Sequence, residues 1–139
     1  MLDASVAVKW FLPADDETLI PQALDLMARH TRSELRFLVP GIFWAEMGNI
    51  FWKAVRARRC PREYADKSVA SLQEKSFTTV PSRELMSDAL AIAITFDRTV
   101  YDSLYVALAV SYGIPLVTAD ERLANALAAK LPVKWLGAF

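Results

Sequence analysis

Short apolar runs alternate with segments of helical period along the whole chain. Leu2 to Val8 reads as a short strand that turns into helix after Asp3. From Pro21 to about Arg29, Ala23, Leu24, Met27 and Ala28 recur at helical spacing. Phe37-Leu38-Val39 is a second apolar run, stopped by Pro40, and Pro40-Gly41 opens a long helix that extends towards Arg58, ahead of Pro61. Pro61 suits the first turn of another helix to about Lys75, which completes a helical hairpin. Phe77-Thr78-Thr79-Val80 is the next strand, again closed by proline, and Ser82 stands where it would cap a helix from Arg83 to about Phe96. Thr99 or Asp102 opens the following helix, which Gly113 ends. Ile114 to Val117 forms a strand, Asp120 begins a helix to about Lys130, and Val133 to Leu136 supplies the last strand. Short apolar strands alternating with helices predict a parallel sheet covered on both faces, hence an α/β class. No repeat, low-complexity tract or linker interrupts the pattern, and residues 1–139 read as one domain.

Composition adds limits. A chain of 139 residues is long enough for a full core. Hydrophobic residues make up 54%, near the upper end for a soluble protein, which fits a dense core or a face covered by a partner. One cysteine, Cys60, excludes an internal disulfide and fits a reducing compartment; with no His near it in sequence, it reads as a bystander. A single histidine, His30, removes zinc sites built from Cys and His. The first apolar stretch, Val6 to Leu12, contains Lys9 and has no basic leader, so no signal peptide is expected. The longest uncharged run, Ser103 to Ala119, is broken by Gly113 and Pro115 and is too short for a bilayer. A cytoplasmic protein without a membrane segment is the expectation.

Four acids carry the chemistry. Asp3, Glu46, Asp102 and Asp120 stand where apolar strand runs end or helices begin. In an open α/β sheet such positions gather at the carboxyl ends of the strands, where ligands bind. Carboxylates brought together repel, so a cluster of them implies a hard divalent cation, and a phosphodiester is the matching substrate. Each acid also has a plainer reading: Asp3, Asp102 and Asp120 as helix caps, Glu46 as a solvent-facing residue paired with a base. Asn49, one turn beyond Glu46, could orient a water or a phosphate, and Ser5 and Thr118 could hold carboxylates from behind. Asp97, beside Arg98 at a helix end, is a weaker candidate. Two other phosphoryl-transfer arrangements begin with a strand-end Asp. A haloacid-dehalogenase-like domain needs a second Asp where Ser5 stands, and a receiver-like domain needs an adjacent acidic pair where Leu2 and Ala4 stand. Both are disfavoured.

The charge balance then reads differently. Net charge is zero, with 16 basic against 16 acidic residues, which by itself does not suggest a nucleic-acid binder. With four carboxylates set aside in a metal pocket, 16 bases face 12 acids, a balance of +4. Lys53, Arg56, Arg58, Arg59 and Arg62 follow the Glu46 helix and either grip RNA phosphates or form an ordinary solvated helix end.

The stretches Asp3-Ala-Ser-Val-Ala-Val-Lys-Trp, Trp44-Ala-Glu-Met-Gly-Asn, Tyr101-Asp-Ser-Leu-Tyr-Val-Ala-Leu-Ala and Leu116-Val-Thr-Ala-Asp-Glu-Arg-Leu together resemble the PIN-domain family, and specifically its VapC-type toxins. The four motifs occur in the family's order over nearly the whole chain. The resemblance implies a PIN-like three-layer α/β/α sandwich with a central parallel sheet, and a metal-dependent endoribonuclease. It maps an acidic quartet onto Asp3, Glu46, Asp102 and Asp120, holding Mg²⁺ or Mn²⁺. Water would attack the scissile phosphorus in line, with Ser5, Asn49 and Thr118 in support. It further implies a toxin–antitoxin pair, with a VapB-like antitoxin on an aromatic-lined groove, and a homodimer. The aromatics Trp10, Phe11, Phe43, Trp44, Phe51 and Trp52 read first as core. One departure is visible: only Met1 and Leu2 precede Asp3, where the family has several apolar residues completing its central strand. The reading from a different class is a PIN-like fold retained as a non-catalytic binding or regulatory module.

Overall fold

The computed structural model describes residues 1–12 and 18–139. Among them the strands are short and parallel. β1 (Leu38–Pro40) pairs with β2 (Thr78–Val80) in the register Leu38–Thr78, Val39–Thr79, Pro40–Val80. β3 (Leu116–Thr118) pairs with β4 (Val133–Trp135), Leu116 against Val133 and Thr118 against Trp135. The first residues of the chain lie between these ladders. The Leu2 N–H donates to the Leu38 carbonyl at 3.1 Å, while on the other side the Asp3 N–H donates to Val117 at 3.2 Å and the Val117 N–H to Met1 at 3.0 Å. The order across the sheet is therefore β2–β1–Leu2–β3–β4.

The short strand expected at the start of Leu2 to Val8 is a one-residue bridge, and the chain turns into helix after Asp3 as expected. Helix α1 (Ala4–Ala7) begins at once and runs into a tighter 3₁₀ turn at Val8–Trp10. The Asp3 carbonyl closes the first turn by accepting from the Val6 and Ala7 amides at 3.1 and 3.3 Å. A brief apolar run carries no period that separates a strand from a helical turn, which is why the sequence does not show how short the strand is.

The other helices are α2 (Ile20–Thr31), α3 (Ile42–Arg56), α4 (Arg62–Gln73), α5 (Ser82–Phe96), α6 (Val100–Tyr112) and α7 (Glu121–Leu127). In α3, Phe43, Met47, Phe51 and Ala54 repeat at helical spacing and are buried. Gly48 in its middle costs about 1 kcal/mol relative to alanine. Burial of the large side chains, about 1.5–3 kcal/mol each, outweighs that. Every residue of α6 from Ser103 to Ala109 is buried, because this helix packs against β1 and β3 and also against α5. β1 and β3 are buried at each position, as strands covered on both faces must be. The result is the expected α/β fold with parallel strands.

Four helices stop by the same device, and only one uses glycine. Ser33, Arg58, Asp97 and Gly113 have left-handed backbones, at φ 60°, 57°, 52° and 63°. After α3 the Arg58 and Arg59 amides fold back onto the carbonyls of Val55 and Ala54 at 3.0 and 2.8 Å. Asp97 is thus the left-handed residue that ends α5.

Ser82 departs from expectation. No side chain caps α5, whose N-terminal flanking residue is Pro81. The Ser82 hydroxyl instead accepts the Ile42 N–H at 2.9 Å and so satisfies the start of α3. The expected aromatic core is present in Phe11, Phe43 and Phe51, with Trp10, His30, Phe37, Phe77, Phe43 and Trp44 in a chain of ring contacts. Trp52 is the exception, 54% exposed.

Candidate metal and nuclease site

Asp3 leaves the sheet as the residue flanking α1 but does not cap it. Its Oδ2 accepts instead from Ser5 Oγ at 2.7 Å and Thr118 Oγ1 at 2.5 Å. Each hydroxyl gives its proton to Asp3 and takes a backbone amide in return: Ala119 N–H to Ser5 Oγ at 2.9 Å, Asp120 N–H to Thr118 Oγ1 at 3.0 Å. The ends of the Leu2 bridge and of β3 are thereby stitched into one network around a carboxylate. Thr118 is fully buried, so its hydroxyl would be costly there without these partners.

Glu46 lies on the second turn of α3, flanking the side of the helix that Phe43 and Met47 fix in the core. Its Oε2 accepts from the Tyr105 hydroxyl, on the buried side of α6. The sequence offered Tyr105 only as part of an apolar helix. Its position one turn beyond Asp102 was the available signal, since residues three apart share a helix face.

Asp102 and Asp120 resolve their capping alternatives in opposite ways. Thr99 caps α6, its hydroxyl accepting from the Asp102 N–H at 3.1 Å, which leaves the Asp102 carboxylate out of the cap. Asp120 does cap α7, its Oδ1 accepting from the Leu123 N–H at 3.0 Å, and it is exposed.

The carboxylates sense one another. Burial pushes Asp3 above the usual carboxylate range, the Thr118 and Ser5 hydrogen bonds oppose that, and the charge of Asp102 adds to it. Glu46 is raised by burial and by the charges of Asp3 and Asp102, against the Tyr105 hydrogen bond. Asp102 is raised by burial and by Asp120, while Thr99 and the Arg98 guanidinium act the other way. Tyr105 is driven far above the phenol range, by burial first and then by Glu46, so its hydroxyl stays a donor.

The donor set suits a hard divalent cation: carboxylate oxygens, partly desolvated and mutually repelling. Among the described residues, however, no group of three or more His, Cys, Asp or Glu side chains stands in a geometry that would hold an ion. The acids are neighbours in charge without being a closed coordination shell.

The remaining expected residues lie along or beyond α3. Asn49 is exposed one turn past Glu46, with no hydrogen bond tying it to the acids. Lys53 and Arg56 occupy the last turn of α3, and the Arg56 guanidinium sits 5.3 Å from the ring centre of Trp52. Arg58 and Arg59 are exposed after the helix, and Arg62 reaches Asp66 at 3.5 Å on the surface of α4. A cavity of about 590 Å³ lies away from all of these, lined by His30, Arg36, Lys75 and Thr78 among others, at the opposite ends of β1 and β2. Lys75 follows the C-terminus of α4, where a cation complements the helix dipole.

An α/β sheet with Asp3 at the exit of its central bridge and other acids within its electrostatic reach points to a class, and comparison with known proteins agrees. A family model of the PIN domain matches residues 1–128, and the chain belongs to that family. It is 30% identical over 131 residues to the protein named Ribonuclease VapC3 of Pyrobaculum aerophilum, covering 90% of this chain and 92% of that one, which makes it a VapC-type member. Its fold is similar to that in the crystal structure of PAE2754 from Pyrobaculum aerophilum, with a TM-score of 0.69, 23% sequence identity, and coverage of 99% of this chain and 83% of that one.

Proposed function

We propose that this chain is a divalent-metal-dependent endoribonuclease and the toxin of a toxin–antitoxin pair. The observation that carries the reading is the Asp3 carboxylate, held by Ser5 and Thr118 at the sheet's carboxyl edge within the field of Asp102, with Glu46 close enough to sense both. The likeness to a protein named as a ribonuclease supports it. Asp3, Glu46 and Asp102 are the principal metal ligands in this reading, with Asp120 ligating directly or through water. Mg²⁺ or Mn²⁺, when bound, supplies Lewis-acid stabilisation of phosphate charge and makes a water more acidic.

The protein's own groups do the rest. Ser5 and Thr118 fix the Asp3 oxygens, and Tyr105 fixes one oxygen of Glu46. Asn49, Lys53 and Arg56 continue from Glu46 along α3, at about 1.5 Å of rise per residue, as a track for the RNA backbone. Arg58 and Arg59 extend it, while Arg62 is already engaged by Asp66.

A VapB-like antitoxin and a second copy of the chain are the proposed partners, in the cytoplasm. Met86, Leu90 and Ile94, spaced four apart and exposed on α5, offer an apolar stripe for such a contact. No helix among the described residues is long and apolar enough to cross a membrane.

The test is cleavage of defined RNAs by purified protein with Mg²⁺ or Mn²⁺. Asp3→Asn and Asp102→Asn should each abolish it with the fold retained by circular dichroism; full activity in either variant would refute the quartet. The alternative, a PIN-like module that binds without turnover, draws on the open spacing of the acids. Tight RNA binding with no metal-dependent cleavage would favour it.

A further inference from the structure

Tyr105 joins the three parts of the chain that carry the buried acids. It stands on α6 one turn beyond Asp102, its hydroxyl donates to Glu46 on α3, and its phenol lies within the field of Asp3. The ring is 2% exposed and wedged in a helix buried from Ser103 to Ala109, so it has little freedom to follow a moving partner. By contrast, Glu46 is only half-buried, on a side chain with three rotatable bonds. Of the two, the tyrosine is therefore the fixed point. A glutamate in the charge field of Asp3 and Asp102 would otherwise swing away from both towards solvent.

We propose that Tyr105 is a positioning residue that sets the spacing between Glu46, Asp3 and Asp102. Its hydroxyl occupies Glu46 Oε2 and leaves Oε1 without that bond, so that Glu46 would offer one oxygen to a divalent cation rather than two. The turn of α6 fixes the phenol relative to Asp102, and its burial holds the ring in place. Partners of this kind typically contribute 10–100-fold to metal affinity or activity. The inference rests on the metal-site reading above.

Tyr105→Phe tests it, because phenylalanine keeps the ring and removes only the hydroxyl. Mn²⁺ binding is measured by titration calorimetry on wild type, Tyr105→Phe and a Tyr112→Phe control at an exposed position of the same helix. Tyr105→Phe is expected to bind Mn²⁺ about 10–100-fold more weakly, with cleavage lowered in kcat, little change in KM for RNA, and partial recovery at high Mn²⁺. A purely structural role would lower the melting temperature and leave Mn²⁺ affinity as in wild type. Wild-type affinity in folded Tyr105→Phe overturns the inference and leaves the nuclease reading standing. Failure of the wild type itself to bind Mn²⁺ overturns both.

Discussion

Ser82 Oγ accepts the Ile42 N–H at 2.9 Å across 40 residues of sequence, so the head of one helix is capped by the head of another. Through this bond the entry of α5 sets the entry of α3, the helix that carries Glu46. Ser82→Ala should destabilise the protein by about 1 kcal/mol, the usual loss when a cap is removed. Urea unfolding reads the change directly. Stability equal to wild type would mean that water replaces the hydroxyl without loss.

Thr118→Val keeps shape and removes the hydroxyl that binds both Asp3 and the Asp120 amide. Because Thr118 is fully buried, those partners have no ready substitute. The expected loss is about 1–3 kcal/mol of stability. Mn²⁺ affinity should also fall, since Asp3 would be less well held as an anion. Calorimetric titration beside urea unfolding separates the two effects.

The raised acids predict a pH dependence. Asp3, Glu46 and Asp102 hold protons more tightly folded than unfolded. Metal-free stability therefore falls as pH rises from the unfolded carboxylate value, about 4, through each raised value, and then levels off. The contribution is most favourable on the acid side. In the presence of a chelator, Asp102→Asn should show a flatter decline of melting temperature than wild type as pH rises above about 4. Parallel curves would count against the coupling. Added Mn²⁺ should raise the wild-type melting temperature most at neutral pH, where the acids are ionised.

Gly48 sits exposed in the middle of α3, and a Cβ built there meets nothing within 4 Å. Gly48→Ala should stabilise the free protein by about 0.5–1 kcal/mol, as helix propensity dictates. The residue lies roughly 120° round the helix from the Glu46, Asn49, Lys53 and Arg56 face proposed for RNA. KM for RNA should therefore stay as in wild type, and a raised KM would show that the route reaches the Gly48 side of α3.

Lys53→Ala and Arg56→Ala test the same track. Each should weaken RNA binding and reduce its salt dependence by about one ion, leaving Mn²⁺ affinity untouched. Filter binding across a salt series gives both quantities.

Much of this arrangement was readable in the chain, and the exceptions share a cause. Helix extents were within a few residues because their apolar faces repeat along one segment, as Phe43, Met47 and Phe51 do. Asp3 and Asp120 were recognisable because each follows a short apolar run and is followed by helix. What escaped was set by contacts between distant segments. The Ser82 hydroxyl serves a helix other than its own, and Tyr105 meets Glu46 across 59 residues. Nothing in an apolar helix distinguishes a tyrosine with a partner from one that only fills space. Of the four left-handed stops only Gly113 was announced by its residue type, since Ser33, Arg58 and Asp97 adopt that backbone without the residue that favours it.

The Leu2 bridge has a mechanical consequence. β1 and β2 form one half of the sheet and β3 and β4 the other, and Leu2 with its flanking amides is the seam between them. Glu46 follows from the first half, Asp120 from the second, and Asp3 stands at the end of the seam itself. The few hydrogen bonds around Leu2 are therefore the direct join between the half of the sheet that leads to Glu46 and the half that leads to Asp120.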